Sequence, residues 1–305
     1  MTESQIEDNA DIELQASTAA RTSRKHYSSV IYCVPTFSNP AGVTTTMTRR
    51  EQLVRLARRY NALIISDDVY DFLNWGPNPS LPRLIDIDAV LDGGPKTPFG
   101  NTLSNGSFSK LLGPGLRTGW AEGTESFIRG LSLCGSSTSG GPPSQLTSWL
   151  AAEAIASGQL DKHIDGTLRP ALQRRSQSLL SAVKANLVPL GLQVRGAAEE
   201  VNGGYFISLQ LPAGMDVDSL CDRAEQEYGL LLARGKLFAV HGHANVTPDP
   251  DFVRLCFAYE DEGRLVEGVK RMAELLRSTL GDLPENQIVS GEVPILFKSD
   301  IRQPV

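Results

Sequence analysis

The sequence predicts an α/β protein with an open, mostly parallel sheet, followed by a smaller C-terminal α/β domain. Two short apolar runs, VIYCV at 30–34 and ALIIS at 62–66, are typical of strands buried on both faces. A helical pattern lies between them, and strand, helix, strand in this order predicts a βαβ unit with a right-handed crossover. Beyond Gly191 the strands alternate polar and apolar residues, which indicates a second domain.

The first domain is expected to contain one early helix and two further strands. The helix is predicted to begin at the capping box Thr48-Arg-Arg-Glu51, since apolar residues between Leu53 and Tyr60 follow at helical spacing. Strands are expected at 101–107 and 117–122, the second of which runs into the turn TGWAEG. Together with the two apolar runs, these strands complete the predicted sheet.

Helices are expected to connect this sheet to the second domain. One helix is predicted near 143–158, and a longer helical stretch at 161–189 contains Pro170, where we expect a kink. In the second domain the segments LQVRG, GGYFISLQLP and VRLCFA predict strands. Two further helices are expected to end at Gly229 and Gly281, because glycine is favoured directly after a helix.

The chain is therefore divided into four parts. A polar segment at 1–26 is predicted to be disordered. A large domain with its connecting helix occupies 27–189, a small domain occupies 190–281, and a tail follows at 282–305.

Composition and charge bound the class of protein. The 305 residues carry a net charge of −6, which argues against a general affinity for nucleic acid or an anionic membrane. No apolar run approaches the ~18 residues that span a bilayer, and the acidic opening lacks the basic and apolar regions of a signal peptide. The four cysteines form no C-x-x-C pair and are expected to be reduced, mostly buried thiols. We therefore expect a cytoplasmic protein.

Two local patterns are set aside. The segment GPGLRTG departs from the dinucleotide-binding fingerprint, because three residues rather than two precede its last glycine. His241 and His243 have no third candidate ligand nearby in the sequence, so no metal site is predicted.

Unusual polar residues follow the predicted strands, at the carboxyl ends where ligands bind in open parallel sheets. They are Asn39 after the first strand, Asp67 and Tyr70 after the second, Ser107, Ser109 and Lys110 after the third, and Arg117 at the start of the fourth. A ligand that touches all of them needs an anionic group, an electrophilic carbonyl and a basic ring nitrogen.

These motifs resemble those of fold-type I pyridoxal-phosphate enzymes, specifically class I and II aminotransferases of the kynurenine or 2-aminoadipate aminotransferase type. The matching pieces are N-P-A-G at 39–42, D-D-V-Y at 67–70, S-F-S-K at 107–110 with Arg117, and R-L-C-F at 254–257. The likeness runs from Tyr27 to Leu280. It implies the pyridoxal-phosphate-dependent transferase fold, pyridoxal 5′-phosphate as cofactor, and an amino acid and a 2-oxo acid as substrates.

The resemblance assigns the covalent bond with the cofactor to Lys110. A lysine amine forms a Schiff base with an aldehyde only in its unprotonated form, which burial and the nearby cation of Arg117 would favour. Once the substrate has replaced it on the cofactor, the freed amine can move the α-proton of the substrate.

Two arginines are assigned to the charged groups of the ligands. Arg117 would bind the phosphate bidentately, while the hydroxyls of Ser107 and Ser109 donate to its other oxygens. Arg254 lies in an otherwise apolar strand and matches the arginine that binds the substrate α-carboxylate in this family. A buried structural salt bridge is the alternative for Arg254.

The remaining residues are assigned to the cofactor ring. Asp67 would lie beside the pyridine nitrogen and keep it protonated, so that the ring can accept electrons. Asp68 is the rival assignment, and Asp67 is preferred because its spacing of three from Tyr70 matches the family pattern. Asn39 and Tyr70 would hydrogen-bond the 3′ oxygen of the ring, and Asn39 is also assigned to substrate binding.

The sequence departs from the family before the first motif. Members usually carry a long further portion there, which supplies a second phosphate-binding loop, an aromatic ring stacked on the cofactor and much of the dimer surface. Only residues 1–26 precede the match here, and they resemble none of it. We therefore expect an exposed sheet edge with an apolar face, weak cofactor retention or dependence on a partner, and a homodimer if that portion is supplied.

The predicted function is amino-group transfer from an amino acid to a 2-oxo acid through a Schiff base at Lys110. A pyridoxal-phosphate-dependent lyase of the β-elimination type is one alternative, because the cofactor supplies the same carbanion for both reactions. A catalytically silent remnant that binds another protein is a second. A transcriptional regulator with a fused helix-turn-helix is set aside, since residues 1–26 are too short and too acidic for that domain.

Overall fold

Most of the predicted site residues lie in the first of two four-stranded sheets or in the segments next to its strands. The computed structural model describes residues 25–138, 144–196, 200–239 and 251–281. The strands of this sheet lie in the order β1 (Ser29–Cys33), β2 (Ala62–Asp67), β3 (Thr102–Ser107) and β4 (Gly119–Glu122). The pairs β1–β2 and β2–β3 are parallel and β3–β4 is antiparallel, which confirms the open, mostly parallel sheet.

Two helices cover one face of this sheet. They are α1 (Met47–Arg59) between β1 and β2, and α2 (Leu84–Val90) between β2 and β3. Their apolar residues, including Val54 and Leu84, pack with Ile31 and Ile64 of the strands. On the opposite face of β1, Val30 and Tyr32 are 56% and 63% exposed. The expectation that 30–34 is buried on both faces is therefore wrong, because β1 is an edge strand that the described helices cover on one side only.

The first helix begins two residues earlier than the sequence pattern predicted. Thr46 is the N-cap residue, in extended conformation, and its hydroxyl oxygen accepts a hydrogen bond from the Arg49 amide. Thr48 is already inside α1, so the proposed capping box at Thr48 is wrong. A threonine stands at both 46 and 48, and the pattern alone did not distinguish them.

A buried ion pair joins α1 to α2. The Arg58 guanidinium lies 2.8 Å from the Asp88 carboxylate, and both side chains are almost fully buried. The same carboxylate accepts hydrogen bonds from the Asn101 amide and the Thr102 hydroxyl. Asp88 thus holds together both helices and the start of β3.

Replacing Asp88 with alanine is expected to lower the free energy of unfolding by about 3–5 kcal/mol, because it leaves a buried guanidinium without its counter-charge. Chemical denaturation of the two proteins measures the difference. The matched control is Glu51→Ala, which removes one of the two carboxylate partners of Arg55, in a solvent-exposed pair within α1, and is expected to cost at most about 0.5 kcal/mol. Equal losses in the two variants would contradict the prediction.

A series of helices leads from the first sheet to the second. It comprises α3 (Glu125–Ser132), α4 (Gly135–Thr138), α5 (Gln145–Ala156), α6 (Gln159–His163) and α7 (Arg169–Asn186). The kink expected at Pro170 is instead a π-helical turn at Ile164–Leu168. Pro170 lies in the first turn of α7, where its missing N–H removes no helical hydrogen bond.

The second sheet is entirely antiparallel. Its strands lie in the order β5 (Gln193–Val194), β6 (Phe206–Gln210), β8 (Phe252–Cys256) and β7 (Ala233–Arg234), with helices α8 (Val217–Tyr228) and α9 (Glu262–Gly281). Gly229 ends α8 in a left-handed conformation, as predicted. One hydrophobic cluster runs from Tyr70 and Phe108 to the residues of α9. The domain boundary near 190 stays a prediction.

The remaining expectations concern the cysteines, the segments outside the described residues and membrane-spanning helices. Of the four cysteines, all of which are free, only Cys221 is buried and Cys256 is exposed, so the expectation of mostly buried thiols is wrong. The predicted disordered segment, the tail at 282–305 and the pair His241 and His243 lie outside the described residues, apart from positions 25 and 26. Among the described helices, none has both the length and the apolar character needed to cross a membrane.

Candidate active site

Asp67 ends β2 with both carboxylate oxygens hydrogen-bonded by the neighbouring strands. The Tyr32 hydroxyl of β1 donates to Oδ2 at 2.6 Å, and the Asn105 amide of β3 donates to Oδ1 at 2.8 Å. Burial, the hydrogen bond to Asp67 and its charge all raise the pKa of Tyr32, which therefore remains a proton donor. Neither partner is among the site residues predicted from the sequence. Their signal is positional, since Asn105 is in register with Asp67 and Tyr32 is in register with Ile65, two residues earlier in β2.

Asp68 points to the opposite face of the sheet. Its carboxylate accepts hydrogen bonds from Ser66 at 2.6 Å and Ser104 at 2.5 Å, and the residue is 3% exposed. Burial raises the pKa of Asp68, against the two serine hydroxyls, which lower it. Adjacent residues of a strand face opposite sides, so the two aspartates do not share a site. This geometry supports the assignment of the site carboxylate to Asp67 over Asp68.

Tyr70 lies buried between the two sheets. Its ring centroid is 5.6 Å from that of Tyr205 and 6.2 Å from that of Phe206, at the start of β6. Burial and the neighbouring Tyr205 raise the pKa of Tyr70, which keeps the phenol protonated. Tyr70 therefore offers a hydroxyl donor next to the second sheet.

Lys110 ends a short 3₁₀ turn that follows β3. The hydroxyl oxygen of Ser107 caps this turn by accepting a hydrogen bond from the Ser109 amide at 3.1 Å. The Tyr205 hydroxyl donates to the Lys110 carbonyl at 3.1 Å, and the Lys110 ammonium lies 5.3 Å from the Tyr205 ring centroid. Tyr205, which the sequence analysis did not select, thus contacts both Lys110 and Tyr70.

Arg117 lies in the loop before β4 rather than at its start. It has a left-handed backbone conformation with φ of 49°, is exposed, and donates to the Pro114 carbonyl at 3.3 Å. A hydrogen bond from the Phe108 amide to the Thr118 carbonyl at 3.1 Å brings this loop beside the turn that carries Lys110. The turn that carries Ser107 and Ser109 and the loop that carries Arg117 are consequently adjacent.

Asn39 and Arg254, which are far apart in the sequence, are in direct contact. Nη1 of Arg254 donates to Oδ1 of Asn39 at 2.6 Å. The Arg254 guanidinium also lies 4.0 Å from the Phe206 ring centroid and 4.8 Å from that of Phe238. Burial lowers the pKa of Arg254. Within the described part of the chain its Nε is buried without a hydrogen-bond partner, and no carboxylate lies within ion-pair distance. These observations do not support the structural salt bridge.

Comparison with known proteins places the chain among aminotransferases. The profile of aminotransferase class I and II matches residues 3–272. An uncharacterized protein of Saccharomyces cerevisiae is 35% identical over 84% of this chain and 56% of its own length. Aromatic-amino-acid aminotransferase 1 of Thermococcus litoralis is 31% identical over 82% of this chain and 55% of its own length. Little more than half the length of these relatives is therefore matched.

A solved structure gives the same result. The kynurenine aminotransferase of Pyrococcus horikoshii, crystallised in complex with PMP and kynurenine, superposes with a TM-score of 0.70 at 32% identity. The match covers 83% of this chain and 57% of that structure.

Proposed function

The chain belongs to the class I and II aminotransferase family, and on this premise we propose that it is a pyridoxal-phosphate-dependent aminotransferase. It would move an amino group from an amino acid to a 2-oxo acid. One observation carries the proposal: the amine of Lys110 lies against Tyr205, the guanidinium of Arg254 lies against Phe206, and Tyr70 contacts both rings. A nucleophile and a carboxylate-binding group are thereby held around one pair of adjacent aromatic residues.

The side chains at this site fit pyridoxal phosphate. Arg117 and the hydroxyls of Ser107, which precedes the turn of Lys110, and Ser109, which lies within it, are donors of the kind that bind a phosphate. Lys110 supplies an amine for the aldehyde, and Asp67 supplies a carboxylate for the pyridine nitrogen. The buried Nε of Arg254, which has no partner among the described residues, is a donor that a substrate carboxylate would satisfy.

The site residues Lys110, Arg254 and Asn39 would each have a distinct role. When bound, the cofactor accepts the amino group and withdraws electrons from the substrate α-carbon. The Lys110 amine would take the proton from that carbon as a general base, and as a general acid it would deliver a proton to the α-carbon of the amino acid formed from the 2-oxo acid. Arg254 would bind the α-carboxylate and so orient the α-carbon, while Asn39 keeps the guanidinium in place.

We further infer a homodimer, formed when the portion of the family that this chain does not match is supplied, and a cytoplasmic location. α5 supports an interface, since Leu146, Trp149 and Leu150 are exposed on it as apolar side chains.

Borohydride reduction tests the proposed function directly. Purified protein is mixed with pyridoxal phosphate and reduced, and the modified lysine is identified by mass spectrometry. We expect modification of Lys110 and formation of glutamate from 2-oxoglutarate when an amino acid is supplied. Modification of a different lysine overturns the site assignment, absence of modification favours a silent protein, and release of ammonia and pyruvate without an acceptor favours a lyase.

Replacing Arg254 with glutamine is expected to raise KM for the amino acid about 10- to 100-fold with a smaller change in kcat, because the variant loses a charged hydrogen bond to the substrate carboxylate. Steady-state kinetics with 2-oxoglutarate as acceptor measures both constants. The control is Arg264→Gln, which removes an exposed arginine paired with Glu260 and is expected to leave KM unchanged. An unchanged KM in the Arg254 variant would contradict the role of carboxylate binding.

A further inference from the structure

Arg50 of α1 is a charged side chain with no exposed surface. Its guanidinium donates hydrogen bonds to the Thr45, Pro82 and Pro35 carbonyls at 3.0, 2.9 and 3.1 Å, and to the Thr36 hydroxyl at 2.8 Å. All four acceptors are neutral. Burial lowers the pKa of Arg50, against the nearby carboxylates of Asp71 and Asp68, which raise it without accepting a hydrogen bond from the guanidinium. Burying this charge is therefore costly for folding, and its hydrogen bonds show which segments it holds.

The bonding partners of Arg50 include both ends of the loop at 35–45. The Thr45 amide donates to the Pro35 carbonyl at 2.7 Å, which closes the loop at its base. Inside it, the Ser38 amide donates to the Val43 carbonyl and the Gly42 amide to the Ser38 carbonyl. Because Arg50 binds the carbonyls of Pro35 and Thr45 simultaneously, it fixes the base of this loop against α1.

The tip of the same loop contacts the second sheet. Asn39 accepts the hydrogen bond from Arg254, and the Pro40 carbonyl accepts one from the Ser208 hydroxyl at 2.6 Å. Gly42 approaches β6 so closely that an added Cβ would lie 2.8 Å from the Phe206 carbonyl oxygen. The loop thus connects α1 to the residues around Arg254.

We propose that Arg50 is a positioning residue of the active site, which acts through the 35–45 loop to hold Asn39 in place for the cofactor and for Arg254. The part that concerns cofactor affinity rests on the proposed function, whereas the effect on the loop itself does not. Arg50 touches neither reacting group. A lysine at this position carries the charge but cannot reach the two ends of the loop with a planar, five-donor group.

Arg58 supplies a matched control on the same helix. Its guanidinium is also buried and also donates to backbone carbonyls, those of Leu91 and Asp88. These contacts hold α2 rather than the 35–45 loop. If Arg50 contributed only to the overall stability of the fold, Arg50→Lys and Arg58→Lys would therefore have similar effects on exchange of the loop amides and on cofactor affinity.

Two measurements on the full chain separate the possibilities. Hydrogen exchange of the apo protein reports on the Ser38, Gly42 and Thr45 amides, and equilibrium titration gives the dissociation constant for pyridoxal phosphate. For Arg50→Lys we expect exchange of these amides to accelerate at least about tenfold and the dissociation constant to rise about tenfold. For Arg58→Lys we expect changes of at most about twofold in both, at temperatures equally far below each melting point.

A double-mutant cycle tests the route through Asn39. If Arg50 acts through Asn39, Arg50→Lys is expected to weaken cofactor binding by at most about twofold in an Asn39→Ala background. If Arg50→Lys does not fold, Thr36→Val removes one acceptor at constant volume and is expected to shift both measurements in the same direction by about threefold.

Three outcomes overturn the proposal: equal loop exchange in the Arg50 and Arg58 variants, unchanged loop exchange in the Arg50 variant, or additive effects of the Arg50 and Asn39 substitutions on cofactor affinity. A wild-type protein that binds no pyridoxal phosphate refutes the proposed function instead. In that case the exchange comparison still decides whether Arg50 fixes the loop.

Discussion

Replacing Lys110 with alanine is expected to abolish amino-group transfer, with kcat reduced at least about 10⁴-fold. On the proposed function, the variant would lose both the amine that binds the cofactor aldehyde and the base that moves the α-proton. Single-turnover formation of the 2-oxo acid from an amino acid measures the loss. Borohydride reduction of the same variant is expected to leave the chain without a covalently attached cofactor.

The fold should survive this change, because the packing around position 110 depends on its backbone carbonyl, which the Tyr205 hydroxyl still binds. The control is Lys162→Ala, since Lys162 is an exposed lysine on α6 and its loss is expected to leave kcat unchanged. A Lys110→Ala protein that keeps more than about one hundredth of the wild-type rate would refute the assigned role.

Replacing Asp67 with asparagine is expected to lower kcat by roughly 10²- to 10³-fold. Asparagine has nearly the same shape and can still accept a hydrogen bond, but it removes the negative charge that would stabilise a protonated pyridine nitrogen. The loss should therefore fall on the chemical step more than on KM. Steady-state kinetics at saturating cofactor measures it.

The neighbouring carboxylate supplies the control for this prediction. Asp68 lies on the other face of β2 and is bound by Ser66 and Ser104. Asp68→Asn is expected to change kcat by no more than about threefold, since it lies away from the site residues. If Asp68→Asn reduces kcat as strongly as Asp67→Asn, or if only Asp68→Asn does so, the assignment of the two aspartates is wrong.

The order of the elements could be predicted because each depends on local patterns. The apolar runs at 30–34 and 62–66 gave two of the parallel strands, and Gly229 ended α8 where expected. The number of buried faces of β1 could not be inferred, because a run such as VIYCV can occur in an edge strand as well as in a central one. What covers a strand depends on the arrangement of distant elements.

The site was predictable to the extent that its residues follow strands. Asp67 is the last residue of β2, and Tyr70 and Lys110 each lie three residues beyond the end of β2 or β3, so position in the chain pointed to them. The partners Tyr32, Asn105 and Tyr205 were missed, because their role depends on strand register and on contact between the two sheets. A tyrosine inside an apolar strand looks the same whether or not it binds an aspartate.

Tyr205 directly precedes β6, and Arg254 lies in β8. These two strands are hydrogen-bonded to each other, from the pair Phe206 and Cys256 to the pair Gln210 and Phe252. The second sheet would therefore move as a unit, and a shift of Arg254 would also move Tyr205, whose hydroxyl binds the Lys110 carbonyl. If Arg254 and Lys110 have the proposed roles, binding of the carboxylate would thereby be coupled to placement of the amine. An amine substrate without a carboxylate would forgo this linkage as well as the direct contact with Arg254.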